Sequence, residues 1–262
     1  MILPVEVMEA VRNGKCILFM GSHFAAEAAD LANASYPEPV DLAKELGWKK
    51  PKAPMGQKQK GVIPSVEEGA ALYESANGRD ALVKLLRERV GVAGLAPSSA
   101  HAAALHHFPL IFSTCLDGLL EASAAKAGIT LDVVDRNMKI PEPDATRHVV
   151  VRVRGDLDRP DTLMLTNKDY QARAFGPDQR KVIRSLVRGY VVLFVGYRPD
   201  EEEFERIFAE LSDAYGGELP RCHLAVAQGN IDDYLWQKWV WRGLLMFLAD
   251  PSEALATLDV KG

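Results

Sequence analysis

Cysteine is scarce in this sequence: Cys16, Cys115 and Cys222 are the only three in 262 residues, and none sits in a Cys-x-x-Cys pair. An odd number cannot all be bridged within one chain, which argues against a disulfide framework and a structural zinc site and for a reducing compartment. No apolar run approaches the ~20 residues that a bilayer-spanning helix needs, so no membrane segment is expected. The opening MILPVEVMEAVRNGK has a proline and two glutamates where a secretory signal has a basic start and an apolar stretch, so the expected location is the cytoplasm. Net positive charge is lacking as well. At −5 and a pI near 5.7 the chain has no field for nonspecific nucleic-acid binding, and none is expected. The local exception is KKPKAPMGQKQK (49–60), whose five lysines read as a solvated surface loop or as a contact for phosphate or an acidic partner.

What is present is core. With 48% hydrophobic residues, a chain of this length supports one large α/β domain or two small ones. PVEVMEAVRNGK spaces Val5, Met8 and Val11 on one helical face and stops at Asn13-Gly14. CILFMGSH then runs apolar until Gly21, a buried strand feeding a tight turn, and FAAEAADLA resumes helical composition; strand, glycine turn and helix open a nucleotide-binding α/β unit. Residues 31–107 differ, with prolines and lysines at 37–64, helix candidates at 65–76, 79–90 and 98–107, and no convincing strand. They are expected to be a helical insertion that caps a pocket. Strand patterns return at 109–114 and in RHVVVRVRGDLD, TLMLTNKDY, YVVLFVGYRPDEEEFERIFAEL, CHLAVA and LLMFLA. Thr166 or Asn167 is expected to cap a helix after TLML, DQRKVIRSLVRG reads as an amphipathic helix, and Asp200 with Glu203 matches a capping box. The alternation predicts a doubly wound, mainly parallel α/β sheet.

The strand ends carry the polar residues, where open α/β sheets bind ligands. In MGSHFA, backbone N–H groups at Gly21, Ser22 and His23 face a pyrophosphate if a helix dipole stands behind them; otherwise Gly21 is an ordinary turn and His23 a plain loop residue. In STCLD, Cys115 is either a nucleophile with His23 as its base or a small packing residue, and Asp117 either caps the helix or accepts from a ligand. Arg154, ending VRVRGD, cannot serve as a base and suits phosphate or carboxylate; an ion pair is the structural alternative for it and for Arg152. His101, His106, His107, His148 and His223 lack metal-ligand spacing, so no metal is expected. The acidic run PDEEEFER (199–206) reads as carboxylates stabilising a helix start. YLWQKWVWRG (234–243) sets three tryptophans in six residues, as core, an oligomer contact or a docking surface for another protein.

Taken in order, GKCILFMGSHFA, FPLIFSTCLDGLLEAS, VVVRVRGDLDRPDTLMLTNKDY and VVLFVGYRPDEEEFERIF resemble the SIR2-like domains of prokaryotic defence proteins, and the likeness runs through nearly the whole chain. It implies a single Rossmann-like domain over 1–262, with 31–107 inserted as a lid, and NAD or ADP-ribose as ligand without a metal. In that family the blocks read Gly-Ala-Gly-x-Ser, Thr-Thr-Asn-x-Asp, His-Gly-Asp and Gly-x-Ser before an acidic helix start, and active members split NAD at the nicotinamide bond with the Asn and the His. Gly21, Thr114, Asp117, Gly155, Asp156 and Gly196 match; Ser22-His23 replace Ala-Gly, Cys115 stands at the asparagine, Arg154 at the histidine and Arg198 at the last serine. The resemblance thereby implies nucleotide contacts from Gly21, Ser22, His23, Thr114, Cys115, Asp117, Arg154, Gly155, Gly196, Tyr197 and Arg198. A thiol is a weak donor and acceptor, and arginine does not exchange a proton near neutral pH. The expectation is therefore a pseudoenzyme that keeps nucleotide binding and acts with a protein partner or as a homo-oligomer, in antiviral defence. The alternatives are an active NAD glycohydrolase using His23 and Asp117, and a cysteine-dependent hydrolase built on Cys115. Deacylation is not expected, because the four zinc cysteines of deacylase sirtuins are absent.

Overall fold

A computed structural model describes residues 3–30, 36–49, 65–91, 95–141, 147–171, 175–187, 190–216, 221–227 and 231–259. The chain opens with α1 (Val5–Arg12) and β1 (Cys16–Met20), then a 3-10 helix at Ser22–Glu27 and the two-residue β2 (Ala29–Asp30). Next come α2 (Pro39–Glu45), α3 (Val66–Asn77), α4 (Arg79–Val90), the two-residue β3 (Leu95–Ala96) and α5 (Ser99–His107). β4 (Leu110–Ser113), α6 (Leu119–Ala127), β5 (Thr130–Asp135) and β6 (Arg147–Arg152) follow, then 3-10 helices at Pro160–Thr162 and Asp169–Gln171. The last elements are α7 (Pro177–Val187), β7 (Val191–Val195), α8 (Glu202–Ala214), β8 (Arg221–Val226), α9 (Asp233–Trp241), β9 (Leu244–Leu248), α10 (Pro251–Ala256) and a final 3-10 turn.

Seven strands form one sheet in the order β5-β6-β4-β1-β7-β8-β9, each pairing parallel. β2 and β3 pair antiparallel, apart from it. From β1 the chain goes to β4 on one side and later to β7 on the other. The order therefore reverses at β1, and a crevice opens outside the carboxyl ends of β4, β1 and β7. The doubly wound parallel α/β sheet expected from the sequence is present.

Strands covered on both faces need continuous apolar sequence, and each residue of CILFM is buried. Phe19 lies in register with Phe112 and Phe194, ring centroids 4.8 and 5.1 Å away. Phe204 and Phe208 of α8 and Trp239 of α9 complete this face. Leu18, Met20, Leu193 and Val195 point to the opposite face and join residues of α1, α5 and α10. Burying each such side chain stabilises the fold by about 1.5–3 kcal/mol. A separate cluster ties Leu42 of α2 and Leu82 and Leu86 of α4 to Leu157, Leu163 and Leu165 after β6.

Several local expectations are corrected. FAAEAADLA is not an α-helix: its first part is a 3-10 turn and its next a short strand, held by packing of Phe24 against Gly196. TLML forms no strand; its residues 163–165 are buried as irregular chain, Leu163 and Leu165 against the helical cluster and Met164 against the sheet, although Thr166 does accept from the Asp169 N–H at 3.3 Å. β5 lies in a segment where no strand was expected, α2 in the proline-rich stretch, and β3 within 31–107. The three helices expected there are present as α3, α4 and α5. Lysine-rich residues 50–60 lie outside the described residues. No helix among the described residues is long and apolar enough to cross a membrane.

Candidate functional site

A cleft of about 230 Å³ opens between the carboxyl ends of β1, β4 and β6, the start of α8, and the helices α2 to α4. Ser22, Thr114 and Arg154 line it from the sheet, Leu42, Val66 and Val90 from the helices, and Tyr36 and Leu116 complete its apolar wall. A second cavity of about 410 Å³ lies beside it at the ends of β7, β8 and β9, lined by His23, Gly196, Tyr197, Arg198, Ala225 and Asp250 among others. Gly21, Cys115, Asp117 and Gly155 line neither.

The turn after β1 is closed by the protein itself. The N–H of Gly21 donates to Val195 O at 2.9 Å, that of His23 to Gly196 O at 3.0 Å, and that of Phe24 to Gly21 O at 3.0 Å. A Cβ on Gly21 would stand 2.3 Å from Gly196 O and 2.6 Å from the Tyr197 ring, and one on Gly196 would stand 2.6 Å from Phe24 N. These two glycines serve contact between the β1 and β7 turns. Gly196, with φ +78°, also needs a conformation that side-chain-bearing residues rarely adopt. Tyr197 is buried beneath the turn: its hydroxyl donates to Met20 O at 3.1 Å and accepts from Thr114 Oγ1 at 3.3 Å.

Cys115 is a packing residue. It is buried, its Sγ donates to Gly21 O at 3.1 Å, and burial, with Asp117 adding, drives its thiol far above the ordinary value. His23 is engaged elsewhere: its Nε2 lies 2.9 and 3.0 Å from the two carboxylate oxygens of Glu201. Asp117 stands one residue before Gly118, the N-cap of α6, and closes the turn there with Oδ1 accepting from the Leu119 N–H at 3.0 Å. Burial raises its carboxyl pKa, while Arg152 pulls the other way. Arg152 is buried beneath this loop, donating from Nη1 to Cys115 O and from Nη2 to Asp117 O, each at 2.6 Å, and from Nε to Glu121 at 3.0 Å. It fixes the polypeptide that follows β4. Gly155, at φ +81°, turns the chain after β6 against Thr162 O, 2.3 Å from where a Cβ would sit.

Arg154 projects into the cleft, but its charge is matched. Nη1 donates to Glu203 Oε1 at 2.9 Å, and Nη2 lies 3.6 Å from Glu67 Oε1, all three side chains being nine-tenths buried or more. Glu203 also accepts from Ser22 Oγ at 3.1 Å. Burial is the largest influence on Glu203 and raises its pKa; Arg154 opposes this and Glu67 and Glu201 reinforce it. Arg198, expected to add positive charge, is held by Asp200 at 2.8 Å and Glu201 at 3.8 Å. The capping box is not formed: Glu201 is the N-cap of α8 without a side-chain cap, and Glu203 turns inward to Arg154. Glu67, Glu201 and Glu203 are thus the site residues that sequence reading missed. The one signal for the latter two was an acidic run directly after a glycine-ended strand.

NAD places a diphosphate at the turn after the first strand in the family pattern. The residues here do not fit it. The Gly21, His23 and Phe24 N–H groups are taken, a 3-10 turn stands where an α-helix dipole is needed, and Glu67, Glu68, Asp200, Glu201, Glu202 and Glu203 line the adjoining cleft with Arg154 as its lining cation. No group of His, Cys, Asp and Glu among the described residues is arranged to hold a metal ion.

A doubly wound parallel sheet with its polar residues at the switch-point crevice defines an α/β domain of Rossmann type. The SIR2-like domain family model matches residues 109–242, and the chain belongs to that family. The matched region contains the Cys115, Arg154 and Arg198 blocks; the Gly21 turn lies before it. A solved structure from work on the mechanism and regulation of Sir2 enzymes aligns over 97% of this chain and 96% of its own, with 11% identity and a TM-score of 0.47. No curated protein sequence matches the chain.

Proposed function

We propose that this chain is a SIR2-like domain that does not cleave NAD and that works by binding, with a protein partner or a second copy, in the antiviral-defence setting the family resemblance implies. The observation that carries the reading is the Arg154–Glu203 pair. At the position where the resemblance expects an exchangeable proton, a permanently charged guanidinium is fixed by buried carboxylates. The neighbouring Cys115 thiol, in place of an amide, points to a backbone carbonyl.

Adenine-nucleotide binding is retained in this proposal only for the second cavity. Its volume of about 410 Å³ falls in the range of small-molecule sites, it lies at the carboxyl ends of β7 to β9, and Ala225 and Ala249 leave it room for a flat base while Arg198 and Asp250 supply polar contacts. Calorimetry with NAD, ADP-ribose and AMP tests this. The three are expected to bind with similar affinity, because the nicotinamide half makes no contact, and Arg198→Ala is expected to weaken each about tenfold, ~1.4 kcal/mol. Absence of heat with all three at millimolar concentration contradicts the nucleotide part and leaves the domain a scaffold.

A further inference from the structure

The tryptophan segment is divided by the fold. Trp239 is fully buried among Phe204 and Phe208, and its Nε1 donates to Pro199 O at 2.8 Å. Tyr234 (77% exposed), Val240 (42%), Trp241 (90%), Leu245 (49%) and Leu248 (50%) are five of the eight large apolar side chains exposed among the described residues, and all lie within 234–248. The strand they surround, β9, ends the sheet: β8 pairs with one side of it, and no described strand with the other. Edge strands are ordinarily protected by charge, proline or a bulge, since their free N–H and C=O groups are a template for another strand. LLMFL carries none of these.

We propose that β9 pairs antiparallel with β9 of a second copy, about a two-fold axis through Met246, so that two seven-stranded sheets become one. The strand LLMFL is apolar throughout and centred on Met246, so each residue meets an apolar one when the strand is paired with its own reverse. The pairing sets Leu244 opposite Leu248 and Leu245 opposite Phe247, which covers the two half-exposed leucines with apolar neighbours. Beyond both ends the chain leaves the strand direction: Arg242 is the C-cap of α9, stacks 4.4 Å from the Trp239 ring and pairs with Glu205, Gly243 turns at φ +84°, and Asp250 caps α10, so the pairing is confined to LLMFL. This rests on the assembly part of the proposed function, names its partner, and is independent of nucleotide binding and of NAD cleavage.

Light scattering on the purified full chain at micromolar concentration is expected to give the mass of a dimer. Leu245→Lys with Leu248→Lys is expected to give a monomer with unchanged circular dichroism, both positions being half exposed. The register is read by crosslinking. Cβ atoms directly opposite in an antiparallel pair lie about 4.5–5.5 Å apart, close enough to be drawn into a disulfide, so Met246→Cys should crosslink to itself under mild oxidation and Val240→Cys should not. The native cysteines are buried and give no background. A monomeric parent, a dimer that survives the paired lysine change, or crosslinking through Val240→Cys and not Met246→Cys overturns the proposal; if the lysine variant fails to fold, the Met246→Cys result decides.

Discussion

Arg154 Nη1 lies 2.9 Å from Glu203 Oε1 across the mouth of the crevice, joining the end of β6 to the first turn of α8 with both side chains out of solvent. A buried pair that loses one partner leaves the other charge uncompensated, at about 3–5 kcal/mol. Arg154→Met strands Glu203 and Glu67 together. It is expected to lower the unfolding free energy by about that amount, and adding Glu203→Gln and Glu67→Gln is expected to recover at least half of the loss, since neutral groups no longer require the cation. Denaturant titration measures both; a loss below ~1 kcal/mol for Arg154→Met would show that the cluster does not hold the cleft together.

The contact between the β1 and β7 turns makes a second prediction. Gly21→Ala and Gly196→Ala each force a Cβ to within 2.6 Å of backbone, and Gly196 also stands at positive φ. Both are expected to cost several kcal/mol or to prevent folding, whereas Gly216→Ala, at φ +71° with open space around it, is expected to cost about 1 kcal/mol. Comparable melting temperatures for the three variants would count against a closed turn.

His23 gives the stability a pH dependence of defined sign. Burial lowers its pKa, but the hydrogen bond and charge of Glu201, with Glu38 and Glu203, outweigh burial and raise it above the ordinary 6.5. A raised folded-state pKa means the protonated form binds better in the native state. Its contribution is complete below about 6.5 and is lost as pH rises through the folded value. The stability gap between the parent and His23→Gln is therefore expected to be larger at pH 6 than at pH 9. A gap that widens toward alkaline pH reverses the sign and refutes the Glu201 pairing.

Cys16, Cys115 and Cys222 are buried, and burial pushes the Cys222 thiol up to about 12 and the other two higher still. None is expected to react with a thiol reagent in the native state at neutral pH, and all three should react after denaturation. Rapid stoichiometric labelling of Cys115 in the folded protein would restore the cysteine-dependent reading.

The sheet was legible in the sequence because a parallel sheet covered on both faces demands unbroken apolar runs, and CILFM, LIFS, VVLFV and CHLAV supply them. β5 was not, because TLDVVD is a half-covered edge strand with Asp132 and Asp135 interrupting its apolar residues. FAAEAADLA has helical composition, but the close packing of Phe24 on Gly196 comes from a strand about 170 positions away and draws the segment into a 3-10 turn. The strand-end residues were found, their partners were not. Glu67 meets Arg154 only because α3 lies over the sheet edge, and Glu203 reads equally well as a helix-start carboxylate until its side chain is seen turning inward.

Whether this cleft cleaves NAD is measured most directly as nicotinamide released over hours by the purified, folded protein supplied with NAD. No release above a protein-free control is expected, for the parent and for Cys115→Asn with Arg154→His alike, because Glu67, Glu203 and the closed β1 turn remain. Sustained release by the parent that His23→Ala or Asp117→Asn abolishes would contradict it and establish an active glycohydrolase.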